Sequence, residues 1–375
     1  MKKVLMIAKY SHDLTYFKNI KNYAEQQNKL DLKIDIIFNL PIFFLELFLL
    51  VFPKKITQAE ISEGLIAEIN RKKKKYSPLK AWFYKIFLQF LARLYFLKYT
   101  RILKHAKYHS ICVWGGYNAG QRMAIIAAKK LGIKVFHFEN GLLPNTTVMD
   151  LEGTNYCNSV PRNHAFYENI EPNFTKTPLV PRLAKQSKGK EILLPKKFIF
   201  CPFQVALDTQ ILVHSPWIKD MESFYATLES LARKTENDLI FIIKEHPSCV
   251  QDYSHLHNKN NTKIIFANEN NTQELITEAE MIITINSTVG IEGIIYDKKI
   301  VTLGNAFYSG YGFAKQARNE QELLEIIKTR NDWIVSPEDN AKFLSYLQNI
   351  YLIPGSWKNP NIIHLDSIVK KLIQY

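Results

Sequence analysis

The stretch MIITINSTVGIEGIIYDKKIVTLG, residues 281–304, decides how this chain is read. Met281 to Ile285 is an apolar run of strand length, and Asn286, Ser287 and Thr288 form a hydroxyl-rich turn. Val289 to Tyr296 has helical spacing around Glu292, and Ile300 to Leu303 is apolar again. Strand, turn, helix and strand in that order make a βαβ unit. The turn places backbone N–H groups and hydroxyls at the positive end of a helix, where a phosphate binds without any metal. Glu292, one turn further in, is placed to accept hydrogen bonds from ribose hydroxyls. A capping box would need the acid three residues past the cap, yet those positions are Val289, Gly290 and Ile291. Ligand binding and a plain interaction with the helix dipole both stay open for Glu292.

The same alternation runs outward from this unit. Strand Lys197 to Cys201, helix Trp217 to Arg233, strand Leu239 to Lys244 and helix Glu320 to Thr329 surround it. In the first half, strand Val4 to Ala8, a helix around Tyr16 to Gln27, strand Leu32 to Ile37, strand Ser110 to Trp114, helix Ala119 to Leu131 and strand Lys134 to Phe138 repeat the theme. Residues 158–195, rich in Pro, Asn, Lys and Thr, read as a connection. The expected architecture is α/β, with two doubly wound Rossmann-like domains facing a central cleft. The domains run over 1–185, with a basic helical insertion at about 42–108, and 186–355. A final helix in 356–375 is expected to pack back on the first.

With 47% hydrophobic and 22% charged residues in 375, the chain is globular rather than disordered. Cys112, Cys157, Cys201 and Cys249 are widely spaced and form no CxxC pair, which fits a reduced, cytoplasmic setting. The apolar stretch Val4 to Ala8 is too short for a signal peptide and reads as a buried strand. The net charge of +14 is uneven: from Ile69 to Phe138 there are sixteen Lys and Arg and no Asp or Glu. Such a segment asks for an anionic partner. Arg71 to Lys75 is a pure basic run, and Ala81 to Lys107 reads as a long helix rich in aromatics. Lys98, Arg101, Lys104 and Lys107 recur along one side of it. We expect residues 71–107 to meet an anionic membrane surface peripherally; a core helix with a solvated lysine face is the bland alternative. No RNA or DNA motif accompanies the charge, so no nucleic-acid partner is expected. Ile42 to Phe52 is apolar but, at eleven residues, shorter than the roughly 20 a spanning helix needs, and reads as a core or interfacial helix.

Polar clusters fall just past strand ends, where ligands bind such sheets. Glu139 follows Lys134 to Phe138 and is a candidate general acid or base. Gln204, Asp208, Thr209 and Gln210 follow Lys197 to Cys201; Asp208 is equally a candidate helix cap. Lys244, Glu245, His246 and Pro247 follow the next strand. His246 is placed to donate to a phosphate or carboxylate, although a lone histidine is more often simply packed.

Glu139, Asn140 and Gly141 with Pro144, Asn145, Thr146, Asp150, Gly153, Asn155, Ser159, Pro161 and Arg162 form an ordered set. It continues through Gln204 to Gln210, His246 and Pro247, Asn286 to Glu292, and Gly304 with Tyr308 and Gly312. From about Ile111 to Gly312 this set resembles the bacterial capsule polysaccharide synthesis family of retaining β-Kdo glycosyltransferases. The resemblance implies a GT-B fold and CMP-Kdo as donor, with Kdo transferred to a glycan or lipid-linked glycan at the inner membrane. It implies Asp208 as nucleophile, Glu139 as general acid or base, and His246 at the CMP phosphate or Kdo carboxylate, helped by Lys244. Asn286, Ser287, Thr288 and Glu292, with Gln204 and Tyr308, are then expected at the CMP site. No Asp-x-Asp motif is evident in the cleft segments, so no metal or other cofactor is expected, and the helix dipole and basic side chains would stabilise the leaving CMP. The competing readings are another GT-B enzyme, such as a UDP-sugar epimerase or glycerophosphate polymer transferase, and a noncatalytic membrane-docked assembly scaffold. Preference for CMP over UDP separates the first rival, and the joint presence of Glu139 and Asp208 weighs against the second.

Overall fold

A computed structural model describes residues 1–37, 56–179, 190–257 and 261–375. The chain forms two compact units, Met1–Ser159 with Leu352–Tyr375, and Val160–Tyr351.

In the first unit, β1 (Lys2–Ala8), α1 (Ser11–Gln26) and β2 (Leu30–Ile36) open the chain. The Asp13 carboxylate starts α1 by accepting from the Lys9 and Tyr10 amides at 2.9 and 2.7 Å. Helices α2 (Gln58–Gly64), α3 (Ile66–Lys73) and α4 (Pro78–Ala106) follow, then β3 (Ser110–Trp114), α5 (Ala119–Lys130), β4 (Lys134–Asn140) and β5 (Thr146–Asp150). Strands β1 to β4 are mutually parallel, as the alternation demands, whereas β5 runs antiparallel to β4. Residues 146–150 were expected in a polar loop. Instead they form a strand inside the sheet, in which Val148 and Met149 are buried.

In the second unit the order is α6 (His164–Tyr167), β6 (Phe198–Pro202), α7 (Thr209–His214), α8 (Met221–Ala232), β7 (Ile240–Lys244), β8 (Ile264–Phe266), α9 (Thr272–Glu278), β9 (Met281–Thr284), α10 (Val289–Ile295), β10 (Lys299–Thr302), β11 (Lys315–Gln316), α11 (Glu320–Lys328) and α12 (Pro337–Tyr346). All its strand pairs are parallel, in the order β11-β10-β9-β6-β7-β8. Its central strands β6, β7 and β9 are largely apolar because helices cover both faces. Helix α10 carries Gly290 and Gly293 for the same reason. A Cβ on Gly290 would collide with the Tyr308 ring, and one on Gly293 with Ile300 and Ile282.

The chain then returns to the first unit as β12 (Ile353–Pro354), antiparallel to β5, and α13 (Ile362–Gln374). Helix α13 buries Ile368, Val369 and Leu372 in the cluster that holds Met6, Phe17 and Phe138, as expected for a final helix packing on the first domain. His364 Nδ1 faces the Pro354 carbonyl at 2.7 Å and must donate to it, so Nε2 accepts from the Tyr16 hydroxyl at 2.8 Å.

Two sequence expectations change, and a third falls outside the described residues. The chain passes between units after Ser159 and again after Tyr351 rather than near 185 and 355, and the expected 185/186 boundary lies outside the described residues. So does the expected helix Ile42 to Phe52. Lys98 does not join an exposed basic stripe: it is buried, and its ammonium donates to Asp35 at 2.7 Å beside the Tyr99 hydroxyl at 2.9 Å. Steps of three residues fall short of a helical turn by about 60°, so the row from Lys107 back to Lys98 rotates into the core.

Candidate functional site

The crevice of a parallel sheet opens where neighbouring strands send their connections to opposite sides. In the second unit that point lies between β6 and β9. The loop after β6 carries Gln204 and Asp208, the turn after β9 carries Asn286 to Thr288, and β7, beside β6, ends at Lys244 to His246.

Gln204 and Asn286 lock the two loops together. Gln204 Oε1 accepts from the Asn286 amide at 3.1 Å and the Thr284 hydroxyl at 3.4 Å, while its Nε2 donates to Asn286 Oδ1 at 3.0 Å. Asn286 Nδ2 donates to the carbonyls of Gln210 and His214 at 2.9 and 3.2 Å, and Gln210 Nε2 donates back to the Asn286 carbonyl at 3.2 Å. Both side chains are buried, 6% and 1% exposed, with their polar atoms spent on each other and on the flanking backbone and Thr284. They were expected against a nucleotide; in the structure their polar atoms are engaged within the protein. Tyr308 is engaged in the same way. Its hydroxyl donates to the Ser287 carbonyl at 2.5 Å, and burial first, then the Glu292 charge, raises its pKa so that it stays a donor.

Lys244 also turns inward, donating to the carbonyls of Asn268 and Asn270 at 2.6 and 2.5 Å. Burial lowers its pKa against the opposing pull of Glu269 and Glu191. This is a correction to its expected role at the donor, since the stem crosses to the loop before α9 and ends there. Beside it, buried Glu245 accepts from Asn268 Nδ2 at 3.0 Å and faces His257 Nε2 at 3.0 Å. That brace was not read from sequence, because His257 and Asn268 lie in separate loops. It backs His246, whose Nδ1 accepts from the Ser248 amide at 3.1 Å, which puts the ring proton on Nε2 as a donor.

The groups that reach the surface of this crevice are fewer. Asp208 is exposed and caps α7: its Oδ1 accepts from the Gln210 amide at 2.8 Å and the Thr209 hydroxyl at 3.4 Å. Its Oδ2 carries no hydrogen bond among the described residues. Ser287, Thr288 and Glu292 are half-buried. The turn is less open to a phosphate than expected, because its amides are engaged. Ser287 donates to Thr284 Oγ1 at 3.2 Å and Val289 to Ser287 Oγ at 3.2 Å. Gly290 donates to the Ser287 carbonyl, and Ile291 and Glu292 to that of Thr288, at 3.1, 2.9 and 3.1 Å. The Thr288 amide and hydroxyl remain without a hydrogen bond among the described residues. Thr288 has no side-chain cap contact, consistent with Glu292 not belonging to a capping box.

In the first unit the corresponding point lies between β1 and β3. Strand β3 ends in Gly115 and Gly116, at φ +65° and +90°. Glu139, at the end of neighbouring β4, lies along this turn: a Cβ on Gly115 would sit 3.6 Å from Glu139 Oε2. Glu139 Oε1 accepts from the Asn140 amide and Nδ2 at 2.9 and 3.0 Å. Beyond β1 opens a hollow of about 280 Å³ walled by His12, Tyr16, Trp357 and Lys358. Trp357 packs edge-on against Trp114, ring centroids 4.7 Å apart. The rest of the motif from 141 to 159 is structural. Asn145 and Asn155 take left-handed φ of +56° each, which asparagine tolerates. Asp150, 2% exposed, accepts from the amides of Glu152, Gly153 and Ser159 and from the Ser159 hydroxyl at 2.6 to 3.0 Å. Burial raises its pKa, but these donors outweigh burial and hold it below the ordinary carboxylate value.

Among the described residues no group of three or more His, Cys, Asp or Glu is arranged to hold a metal ion, and no helix is long and apolar enough to cross a membrane.

Two Rossmann-like units, with the last helix returned to the first, define the GT-B class of fold. The family described as "Capsule polysaccharide biosynthesis protein" matches over residues 109–193 and 182–352, and the chain belongs to that family. Among curated relatives, Protein FixF of Sinorhizobium fredii is 34% identical over 253 residues, which is 67% of this chain and 61% of that protein. The Escherichia coli capsule polysaccharide export protein KpsS is 27% identical over 158 residues, 39% of this chain and 38% of that one. The chain thus spans less than two-thirds of the length of these relatives. Among solved structures, Thermosulfurimonas dismutans KpsC, a beta Kdo 2,7 transferase, aligns over 100% of this chain and 99% of its own at 15% identity, with a TM-score of 0.47.

Proposed function

We propose that the protein is a glycosyltransferase that moves Kdo from CMP-Kdo to a glycan or lipid-linked glycan, with retention, in capsule or lipopolysaccharide synthesis. The carrying observation is the Gln204–Asn286 lock, which brings the Asp208 loop and the Ser287–Thr288 turn to the one switch point of the second sheet. In this reading Asp208 Oδ2 attacks the anomeric carbon, and the bond to the CMP phosphate breaks with its electron pair leaving on CMP. His246 Nε2–H and the Thr288 amide and hydroxyl neutralise the departing phosphate, and Glu292 accepts from the ribose hydroxyls. An acceptor hydroxyl then gives up its proton to a general base and displaces Asp208, so two inversions restore the original configuration; Glu139 is the general acid or base implied by the family resemblance. The acceptor glycan is assigned to the first unit, whose aromatic-walled hollow suits a sugar face. The reaction needs no metal, and the enzyme works peripherally at the cytoplasmic face of an anionic membrane, drawn there by its basic segment 71–107.

Incubation with CMP-Kdo and a panel of simple glycosides, read as CMP release and product anomer, tests this. Transfer should proceed undiminished in EDTA. Asp208→Ala should abolish transfer with CMP affinity nearly intact, and full activity in that variant removes Asp208 as nucleophile. Thermal stabilisation by UDP but not CMP would favour the nucleotide-sugar rival instead.

A further inference from the structure

The first three turns of α4 expose Leu79, Trp82, Phe83, Ile86, Phe87 and Phe90, between 43% and 68% accessible. At 100° per residue these six occupy an arc of about 140° on one side of the helix. The opposite side is the buried one, with Leu88, Ala92, Tyr95, Phe96 and Tyr99 in the core of the first unit. So many large apolar groups on one exposed face mark a contact surface, because a monomer in water gains nothing from showing them.

The charges around the stripe say what covers it. Lys80 stands about 20° beyond one edge of the arc and Lys85 about 60° beyond the other, and both are exposed. Further along the same side come Arg93, Arg101 and Lys104, and no acid occurs anywhere on α4. Beside the stripe, α3 and α4 line a hollow of about 410 Å³ together with Tyr76, its lining including Pro78, Trp82, Lys73 and Lys85. Lys72 and Lys80 lie over the Tyr76 ring at 5.0 and 4.6 Å, which fixes that part of the lining. A protein partner would have to present an apolar groove bordered only by acids. A bilayer with anionic headgroups supplies both features, hydrocarbon for the stripe and phosphates for the lysines, at the depths an interfacial helix requires.

We propose that α4 is an insertion helix. Its stripe from Leu79 to Phe90 sinks below the phosphates of an anionic bilayer, and the hollow lined by Lys73 and Lys85 receives a lipid phosphodiester. This deepens the membrane-surface reading above, replacing attraction by charge alone with penetration at named side chains. It does not depend on the donor sugar.

The test uses the full chain with vesicles of phosphatidylcholine, alone or with one-third phosphatidylglycerol. The wild type should sediment with the anionic vesicles and retain part of that binding in high salt. Bromine-labelled acyl chains should quench its tryptophan emission, and Trp82→Phe should remove that quenching. Phe83→Ser with Phe87→Ser should lower the partition coefficient at least tenfold at every salt concentration. Lys73→Ser with Lys85→Ser should lower it at low salt on anionic vesicles only. Binding that salt abolishes and the phenylalanine pair leaves unchanged would overturn insertion while leaving electrostatic attachment standing. A vesicle-free dimer that the same phenylalanine pair converts to monomer would show the stripe to be a self-contact and overturn the proposal outright.

Discussion

Gln204 illustrates how a buried amide can tie two loops together. Each of its polar atoms serves the Asn286 turn, so Gln204→Leu leaves the Asn286 amide and Oδ1 unpaired in a dry place. We expect the second unit to lose about 2–3 kcal/mol of stability, read by denaturant unfolding, and CMP to bind more weakly than in the wild type. Glu292→Ala should instead spare stability and cost about 1–3 kcal/mol of CMP affinity in titration calorimetry if it holds ribose hydroxyls. An unchanged dissociation constant would return Glu292 to its dipole role. Asp150→Asn exchanges an acceptor for a donor facing three amides. It should destabilise the first unit by about 2–4 kcal/mol, because charged hydrogen bonds are worth about 1.5–3 kcal/mol each. From sequence, Gln204 and Asn286 were indistinguishable from ligand-binding residues, since the pairing that consumes them joins residues 82 positions apart. Asp208 was legible in its capping role because a cap is a local event.

Helix α4 shows the limit of periodicity at the level of an element. Its existence and length followed from the run of helix formers, and Pro78 at its first turn marks its start. Which side faced outward did not, because both sides are apolar over the first half and the basic residues rotate around the axis. Lys98 is the consequence: a charge that reads as surface is held inside by Asp35 on β2. Asp35→Ala would leave that ammonium buried and unpaired, and we expect a loss of about 3 kcal/mol in the first unit, whereas Lys104→Ala on the exposed side should be neutral in the same measurement. Strand β5 was missed for a related reason. Thr146, Thr147 and Asp150 are polar, as loop residues are, but Thr147 donates to the Gly355 carbonyl at 2.9 Å and pairs with β12, a partner more than two hundred residues away.

For the molecule as a whole, both units carry a buried histidine that resists protonation. Burial lowers His137 to about 4, only partly opposed by the Gly115 backbone and Asp150, and lowers His214 to about 4 as well. In the unfolded chain these rings take up protons near pH 6.5, so between about pH 6.5 and 4 the unfolded state binds more protons and stability falls as pH falls. Unfolding midpoints at pH 7 and 5 should differ, and His137→Leu should lessen the dependence in the first unit, where His364, also lowered by burial, keeps a share of it. The central strand and helix alternation, and hence the parallel core of both sheets with the last helix returned to the first, was legible; β5, β8, β11 and β12 were not. The crossing points were less so: the first falls at the near end of the Pro-rich connection that begins at residue 158 rather than at its far end, and the second falls just before Pro354 and Gly355.

The return of β12 and α13 has a further bearing on biogenesis. A ribosome releases Val160–Tyr351 as one uninterrupted stretch before it releases either of those elements. The later-made half of the protein is therefore free to finish folding while Tyr16 still awaits His364. Through that interval the nascent N-terminal sheet has an unpaired rim beside Thr146 and Thr147 and a bare apolar flank at Phe17, the period when assistance from a chaperone would matter most.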